Sequence, residues 1–166
     1  DDFLKRVVII GAGASGMLAA KVASDRGYKV IVLEKQKRCG QKLLITGKGR
    51  CNITNNCEIE ELIENVPTNG KFLYSAFYTF TNDQVIDMFN DLGVETKTER
   101  GKRVFPVSDK AVDVVRALEK QMRSNKNVEV LLNSKVDKIE AQDGKIKKVI
   151  LSDKREIECD SVIVAT

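Results

Sequence analysis

The stretch RVVIIGAGASG, residues 6–16, decides the fold of this 166-residue chain. The apolar, β-branched run at residues 6–10 predicts a short strand that is covered on both faces. Gly11 ends this run, and residues 14–25 have the composition of a helix. A second apolar strand is predicted at residues 29–33. Together these segments predict a βαβ unit of about 30 residues.

Two later apolar runs, residues 128–132 and 162–165, predict two more buried strands. Between them lie three shorter strand patterns joined by turn signals, which predict an antiparallel meander at residues 135–141, 146–151 and 155–159. Buried strands separated by helices are typical of a parallel sheet with right-handed crossovers. The predicted fold class is α/β, with a parallel sheet and an antiparallel three-strand meander as one crossover.

The middle of the chain predicts helices and an isolated strand. Residues 72–80 hold five of the nine aromatic residues in a helical stretch, which favours a place in the core. Thr81 and Gln84 have the spacing of a capping box, so a helix is predicted to begin there. Pro106 restricts the strand pattern at residues 103–107 to a sheet edge or a turn.

Composition excludes several kinds of site. The chain has 28 Lys and Arg against 24 Asp and Glu, a net charge of +4, and no histidine, so it contains no His-based triad or metal site. The initial apolar run is interrupted by glycines and too short to span a bilayer. Four cysteines without CxxC spacing favour reduced thiols and no metal. We therefore expect a cytoplasmic protein without a membrane segment.

The glycines of the opening stretch match the pattern GxGxxG at Gly11, Gly13 and Gly16. The first permits a tight turn, the second lets a pyrophosphate approach the backbone, and the third lets the helix pack close to the strand. Glu34 follows 18 residues after Gly16, near the spacing of an acid that binds ribose hydroxyls. The pattern predicts a dinucleotide site. Glu34 disfavours NADP, although Lys35 keeps it possible, and the loop does not separate NAD from FAD.

A long basic loop follows the second strand. Between residues 35 and 57 there are six cations and no acid. Such a loop could neutralise a pyrophosphate or an anionic substrate, or it could be a solvated surface loop. A nucleic-acid surface is disfavoured by the small net charge. Beside Arg50, Cys51 could hold a stabilised thiolate, but a structural role is favoured because no base can be assigned.

Longer segments carry a family resemblance. Residues 9–20 and 32–35 resemble the FAD-binding start of two-dinucleotide-domain flavoproteins. The segment GQKLLITGKGRCNITN, residues 40–55, resembles the signature of a bacterial family of NAD(P)/FAD-dependent oxidoreductases that includes aminoacetone-oxidase-type and bile-acid-reductase-like flavoproteins. Residues 103–108 form a further family-like stretch. The resemblance implies a Rossmann-like FAD/NAD(P)-binding domain.

The resemblance also implies how FAD would be held. The glycine loop would bind the pyrophosphate and Glu34 the adenosine ribose, while Val136 would meet the adenine through its backbone. Gly40, Lys42 and the 46–52 loop would approach the diphosphate and the flavin, and residues 164–166 match a second FAD motif. The predicted cofactor-binding residues are Gly11, Gly13, Ala14, Ser15, Gly16, Glu34, Lys35, Gly40, Lys42, Thr46, Gly47, Arg50, Cys51, Asn52, Val136, Ala165 and Thr166.

The predicted function follows from this resemblance. Residues 1–166 would be the N-terminal part of an FAD/NAD(P)-binding domain, without the substrate domain and the returning FAD segment of the longer family members. The parent would be a flavoprotein oxidoreductase that transfers hydride between NAD(P)H, flavin and an unidentified small organic substrate, with no nucleic-acid partner. The isolated piece would be inactive, and no catalytic residue or oligomeric state is assigned. The alternative is a non-catalytic Rossmann module that binds NAD or an adenine nucleotide.

Overall fold

The computed structural model describes residues 4–166, so the first three residues of the predicted domain lie outside the described part. The strands are β1 (Arg6–Ile10), β2 (Lys29–Leu33), β3 (Thr54–Asn55), β4 (Thr96–Glu99), β5 (Arg103–Pro106), β6 (Val128–Leu131), β7 (Val136–Gln142), β8 (Lys145–Leu151), β9 (Glu156–Glu158) and β10 (Ser161–Val164). The helices are α1 (Ala14–Asp25), α2 (Ile59–Glu64), α3 (Tyr74–Thr79), α4 (Asn82–Asp91) and α5 (Ala111–Arg123). Short 3-10 turns lie at Leu43–Gly49, Gly70–Leu73 and Arg100–Lys102.

The chain divides into two compact units. The first runs up to Leu43 and resumes at Leu118, and the second comprises Leu44–Ala117. The second boundary falls within α5, whose last six residues belong to the first unit.

The first unit is built on a four-stranded parallel sheet in the order β10-β1-β2-β6. In this sheet Val8 of β1 pairs with Ile31 of β2 on one side and with Val162 of β10 on the other. The strands β7, β8 and β9 form a separate antiparallel sheet between β6 and β10 in the chain. The predicted Rossmann-like α/β fold with a meander crossover is therefore confirmed.

Both faces of the parallel sheet are covered. Successive side chains of a strand point to opposite sides, so each face presents its own set of apolar side chains. On one face Val8, Ile31 and Leu33 pack with Val149 and Leu151 of the meander in a buried cluster. On the other face α1 packs against β1, β2 and β6. The parallel strands of this covered sheet all end at one edge.

The prediction that residues 162–165 form a fully buried strand is wrong. Within the described residues, β10 is the outer strand of the sheet and pairs only with β1. Its side chains are correspondingly open, with Ile163 39% exposed and Val164 64% exposed. An apolar run alone does not distinguish an outer strand from an inner one, because strand pairing depends on distant segments.

The second unit contains an antiparallel sheet in the order β3-β5-β4, so the strand with Pro106 is central rather than at an edge. The physical reason is local: β3 pairs only with Arg103 and Val104, whereas Pro106 pairs with Thr96 of β4. Pro106 therefore lies beyond the reach of the short strand β3, where its missing N–H costs no ladder bond. The sequence expectation was wrong for the strand as a whole but holds at the proline itself.

The predicted capping box is present at the start of α4. The Gln84 amide donates to Thr81 Oγ1 at 3.2 Å, and the Thr81 amide donates to Gln84 Oε1 at 2.9 Å. The aromatic stretch at residues 72–80 is helical, but its expected place in the core is wrong. Four of its five aromatic side chains are exposed, at Phe72, Tyr74, Tyr78 and Phe80.

Among residues 4–166, none of the helices combines the length and the apolar character needed to cross a bilayer.

Candidate functional site

The candidate site of the first unit lies at the carboxyl edge of its parallel sheet. Because all four strands run in the same direction, the segments that follow them emerge at this edge. They are the glycine loop at residues 11–16 after β1, Glu34 after β2, residues 133–136 after β6 and residues 165–166 after β10. Ligands of open α/β sheets bind at this edge.

Two of the three motif glycines are required by packing within the chain. Gly11 has φ +105°, and a Cβ there would stand 2.5 Å from the Ala165 carbonyl oxygen. A Cβ on Gly16 would stand 1.9 Å from the Gly11 carbonyl oxygen. These two glycines let the turn, the helix and the last strand approach one another, so they explain the fold of the loop and not what it binds.

Gly13 differs from the other two. Its backbone angles of φ −83° and ψ −167° suit any residue, and a Cβ there would meet no atom of residues 4–166 within 4 Å beyond its own chain neighbours. Packing and backbone conformation therefore give no reason for a glycine. The position leaves open space at the N-terminus of α1, which a bound group can approach closely.

The first turn of α1 offers donors to this space. Gly13 is the N-cap, has no side chain to cap the helix, and is followed by no acidic residue in the first turn. The first helical bond runs from the Met17 amide to the Gly13 carbonyl, at 3.0 Å. Within residues 4–166, the amides of Ala14, Ser15 and Gly16 have no hydrogen-bond acceptor. Free amides and the positive end of the helix dipole together suit an anion.

Glu34 joins the glycine loop to the end of β2. Its side chain is almost buried, and Oε2 accepts from the Ala12 amide at 2.8 Å while Oε1 accepts from the Gln36 amide at 2.9 Å. Each carboxylate oxygen has two lone pairs, so one on each oxygen stays available for a hydroxyl donor. The carboxylate thus holds the loop in place and can still accept hydrogen bonds from a ligand.

The start of the basic loop also contacts the glycine motif. The Gly40 amide donates to the Ala12 carbonyl at 2.8 Å, and Gly40 adopts φ +67°, which favours glycine. Lys35 and Lys42 are exposed and make no ion pair within the described residues. Their charges are therefore not balanced by a partner in the described residues.

The segment after β6 lies beside Glu34. The Ser134 amide donates to the Glu34 carbonyl at 2.8 Å, and the Asn133 amide donates to the Gln36 carbonyl at 3.0 Å. Val136 starts β7 and packs its side chain against the buried cluster under the meander. On the opposite side of β1, the Ala165 amide donates to the Ile10 carbonyl at 2.9 Å, and Thr166 follows it.

The other predicted site residues, Thr46, Gly47, Arg50, Cys51 and Asn52, belong to the second unit. They form a tight loop in which Gly47, Lys48, Gly49 and Cys51 all adopt the left-handed conformation. The Cys51 amide donates to the Thr46 carbonyl at 3.1 Å. Non-glycine residues in this conformation are strained and persist only where their surroundings hold them.

Arg50 and Asn52 fasten this loop to the sheet of the second unit. The Arg50 guanidinium lies 2.7 Å from Glu99 and 2.9 Å from Asp109, and it stacks 4.0 Å from the centre of the Phe105 ring. The Asn52 amide, with its nitrogen turned toward the sheet, donates to the Thr54 carbonyl at 3.0 Å and the Val104 carbonyl at 3.3 Å. The charge of Arg50 is therefore already balanced within its own unit.

The electrostatics around Arg50 are those of a mutual ion-pair cluster. Lys97, and then Arg50, hold the pKa of Asp109 below its ordinary value, and Arg50 holds the pKa of Glu99 below its own. Lys97 reaches Asp109 at 2.8 Å. Two cations thus share two carboxylates, and the cluster is neutral.

The cysteines show no sign of an activated thiolate. Cys51 is 1% exposed, and burial raises the pKa of its thiol despite a hydrogen bond with Thr46. Burial also raises the pKa of Cys39, to about 11. All four cysteines are unbonded thiols. Within the described part of the chain, no three Cys, Asp or Glu side chains are grouped to hold a metal ion.

Sequence reasoning missed three contributors to the site of the first unit. Ala12 both donates to Glu34 and accepts from Gly40, a role that its place inside the glycine motif could have suggested. Ser134, 2% exposed, lies under Glu34, and Arg155 donates to its hydroxyl at 3.1 Å. Neither of these two has a sequence signal, because their partners are distant in the chain.

Comparisons with known proteins agree with this architecture. The family model described as the HI0933-like protein Rossmann domain matches residues 5–166. The chain is 33% identical over 164 residues to the 3-dehydro-bile acid delta(4,6)-reductase of Clostridium scindens, covering 98% of the chain and 39% of that protein. It is 28% identical over 166 residues to the ribosomal RNA dihydrouridine synthase of Haemophilus influenzae, covering 96% of the chain and 39% of that protein.

A solved structure shows the same fold. The Mycobacterium smegmatis Sdh1 complex in its apo form matches with a TM-score of 0.73 at 21% identity, over 98% of the chain and 35% of that protein. The chain spans about two fifths of the length of the two curated relatives.

Proposed function

The chain belongs to the HI0933-like protein Rossmann domain family, and we propose that it is the FAD-binding part of a flavoprotein oxidoreductase. The observation that carries this proposal is the open space at Gly13, which faces the free amides of α1 and adjoins the Glu34 carboxylate. An acceptor-rich anion and a neighbouring diol satisfy both groups, and a dinucleotide contains both. When bound, FAD would supply the capacity to take up and release a hydride.

In this proposal, different residues of the first unit bind different parts of FAD. The amides of Ala14, Ser15 and Gly16 bind the pyrophosphate, which passes over Gly13. Glu34 accepts hydrogen bonds from the adenosine ribose. We propose that six further residues complete this part of the site: Lys35, Gly40, Lys42, Val136, Ala165 and Thr166.

The proposed role of the loop in the second unit has a different basis. A cofactor-binding role for Thr46, Gly47, Arg50, Cys51 and Asn52 rests on the family resemblance, and it remains a prediction. Arg50 is paired with Glu99 and Asp109 within its own unit, so its charge is already balanced there.

The reaction that we propose is a reduction by NAD(P)H through the flavin. The names of the two curated relatives share one chemistry, the addition of hydrogen to a carbon–carbon double bond: a bile-acid Δ4,6 double bond in one, and the uridine ring in the other. We therefore propose that the substrate is a small organic molecule with a double bond conjugated to a carbonyl. The test is oxidation of NADH or NADPH by the full-length protein with a panel of enones, followed by mass spectrometry. Consumption of cofactor without a product two hydrogens heavier contradicts this reaction.

RNA is the second candidate substrate, because one relative is named as a ribosomal RNA dihydrouridine synthase. The proposal of a small-molecule substrate without a nucleic-acid partner predicts weak retention on RNA. Filter binding over a salt series separates the two, since an RNA-binding protein shows affinity that falls steeply with salt.

A non-catalytic module that binds NAD or an adenine nucleotide is the alternative function. It is supported by the geometry, because the free amides and Glu34 would contact only the ADP moiety that NAD and FAD share. Calorimetry of the full-length protein with NAD, NADP, ADP and FAD distinguishes the two functions. Tighter binding of FAD supports the flavoprotein, and tighter binding of NAD supports the alternative.

The cytoplasm is the proposed place of action. The support is that all four cysteines are unbonded thiols, which persist in a reducing compartment. Fractionation of cells that express the full-length protein tests it, with recovery from membranes or from the medium as the contrary result.

A further inference from the structure

The order of the strands places a ligand along the sheet edge. The free amides follow β1, Glu34 follows β2, and residues 133–136 follow β6, the next strand in the sheet. Neighbouring strands lie about 4.8 Å apart, so the three groups form a row about 10 Å long. A nucleotide with its phosphate at β1 and its ribose at β2 therefore directs its base toward residues 133–136.

Residues 133–136 are not held by strand pairing alone. The buried Ser134 hydroxyl donates to the Leu132 carbonyl at 2.9 Å and accepts a hydrogen bond from the Arg155 guanidinium at 3.1 Å. The Ser152 amide donates to the Lys135 carbonyl at 2.9 Å. The turn between β8 and β9 thus fastens this segment from the meander side at two points.

The Arg155 side chain is 49% exposed and pairs with Asp153 in the same turn. Its Nε donates to Asp153 Oδ2 at 2.8 Å, and its amide donates to Asp153 Oδ1 at 3.1 Å. The Leu151 amide donates to the Arg155 carbonyl at 2.9 Å. A guanidinium can serve Asp153 and Ser134 at once because its donors form a rigid fork.

We propose that Arg155 is a positioning residue for the adenosine end of the bound dinucleotide. Through the Ser134 hydroxyl it holds residues 133–136 against the edge, and the Ser134 amide in turn contacts the Glu34 carbonyl at 2.8 Å. The meander therefore acts as a support for nucleoside binding as well as a cover for the core. This inference rests on the proposed function, since it needs an adenine nucleotide at the sheet edge.

The test is calorimetric titration of ADP into the full-length protein. Arg155→Gln is expected to weaken ADP binding about tenfold, which corresponds to about 1.4 kcal/mol. Ser134→Ala is expected to give a similar loss, and the double variant no more than either single one, because both substitutions break the same link. The matched control is Lys154→Gln, which removes the same charge one residue away from a side chain without an ion pair in the described residues.

A second readout separates positioning from general stability. Hydrogen exchange without ligand should become faster at residues 133–136 in Arg155→Gln than in the wild type. The thermal midpoint of Arg155→Gln should equal that of Lys154→Gln. Equal ADP affinity in Arg155→Gln and Lys154→Gln, or additive losses in the double variant, would overturn the inference. A wild-type protein that binds neither ADP nor FAD would instead refute the proposed function and this inference with it.

Discussion

Gly13 offers the sharpest test of the account, because its substitution should affect folding and binding in opposite directions. In the Gly13→Ser variant the new Cβ meets no atom of the described residues within 4 Å beyond its chain neighbours, and the backbone angles already suit serine. The hydroxyl would also supply the N-cap acceptor that α1 lacks. A serine N-cap is more favourable than a glycine N-cap by a few tenths of a kcal/mol. The substitution should therefore raise the free energy of unfolding by this amount and the thermal midpoint by about 1 °C in a chain of this size.

Binding should be lost in the same variant. The side chain would fill the space through which a pyrophosphate approaches the helix amides. A hydrogen bond to a charged group contributes about 1.5–3 kcal/mol, so losing one or two of them should weaken the binding of FAD or ADP by about tenfold to about ten-thousandfold. Gly13→Ala, which adds the Cβ without the cap, should weaken binding without any gain in stability.

Gly16→Ala is the contrasting variant. Its Cβ would stand 1.9 Å from the Gly11 carbonyl oxygen, so the loop and helix must move apart. Overpacking of this kind costs about 1–3 kcal/mol or more, which lowers the thermal midpoint by several degrees. The assays are thermal unfolding without ligand and calorimetry with ADP and FAD. Normal ligand affinity in Gly13→Ser, or destabilisation of Gly13→Ser as large as that of Gly16→Ala, would refute the reasoning.

Three further predictions follow from the same structure. Glu34→Ala should lower the free energy of unfolding by about 1–3 kcal/mol in urea titrations, because the buried Ala12 amide loses its acceptor; unchanged stability would show that the Glu34 bonds contribute nothing. Burial raises the pKa of all four thiols, but Cys39, Cys51 and Cys159 are buried from solvent while Cys57 is half-buried, so a thiol reagent should label Cys57 first and the other three only on unfolding; labelling of Cys51 in the native state would indicate an activated thiolate. The pKa values of Asp109 and Glu99 are lowered from 3.8 and 4.5, so the stability they contribute is present above this range and is lost as pH falls through the lowered values. Arg50→Gln should therefore destabilise the protein at neutral pH but approach the wild type as the pH falls through the lowered carboxyl pKa values in urea unfolding, and a difference that is independent of pH would contradict the ion-pair cluster.

Local patterns predicted the framework of the site correctly. β1 and β2, the helix α1 between them and the glycine turn are encoded by neighbouring residues, because period, breakers and caps act over a few positions. The capping box at Thr81 and Gln84 was found for the same reason. The spacing of Glu34 from Gly16 also placed an acid at the sheet edge.

The features that sequence reasoning missed depend on distant partners. The exposure of β10 depends on which strands lie beside it, and the tolerance of Pro106 in a central strand depends on the two-residue length of β3. The pairing of Arg50 with Asp109 joins residues that are 59 positions apart. No local pattern reveals such a partner, so the sequence left open whether the cations of the basic loop neutralise an anionic ligand or lie on a solvated surface.

The distinction between Gly13 and the other two glycines needed the structure as well. All three look alike in the pattern GxGxxG, but only the positions of Ala165 and Gly11 around them show which glycines the chain itself requires. The glycine that the chain does not require is the one that indicates a ligand.

The central claim is that this chain binds FAD, and the visible absorption spectrum of the purified full-length protein tests it most directly. The account predicts flavin absorbance that stays with the protein through gel filtration, and release of FAD in a stoichiometric amount on denaturation. A folded full-length protein that stays colourless after incubation with saturating FAD would contradict the account.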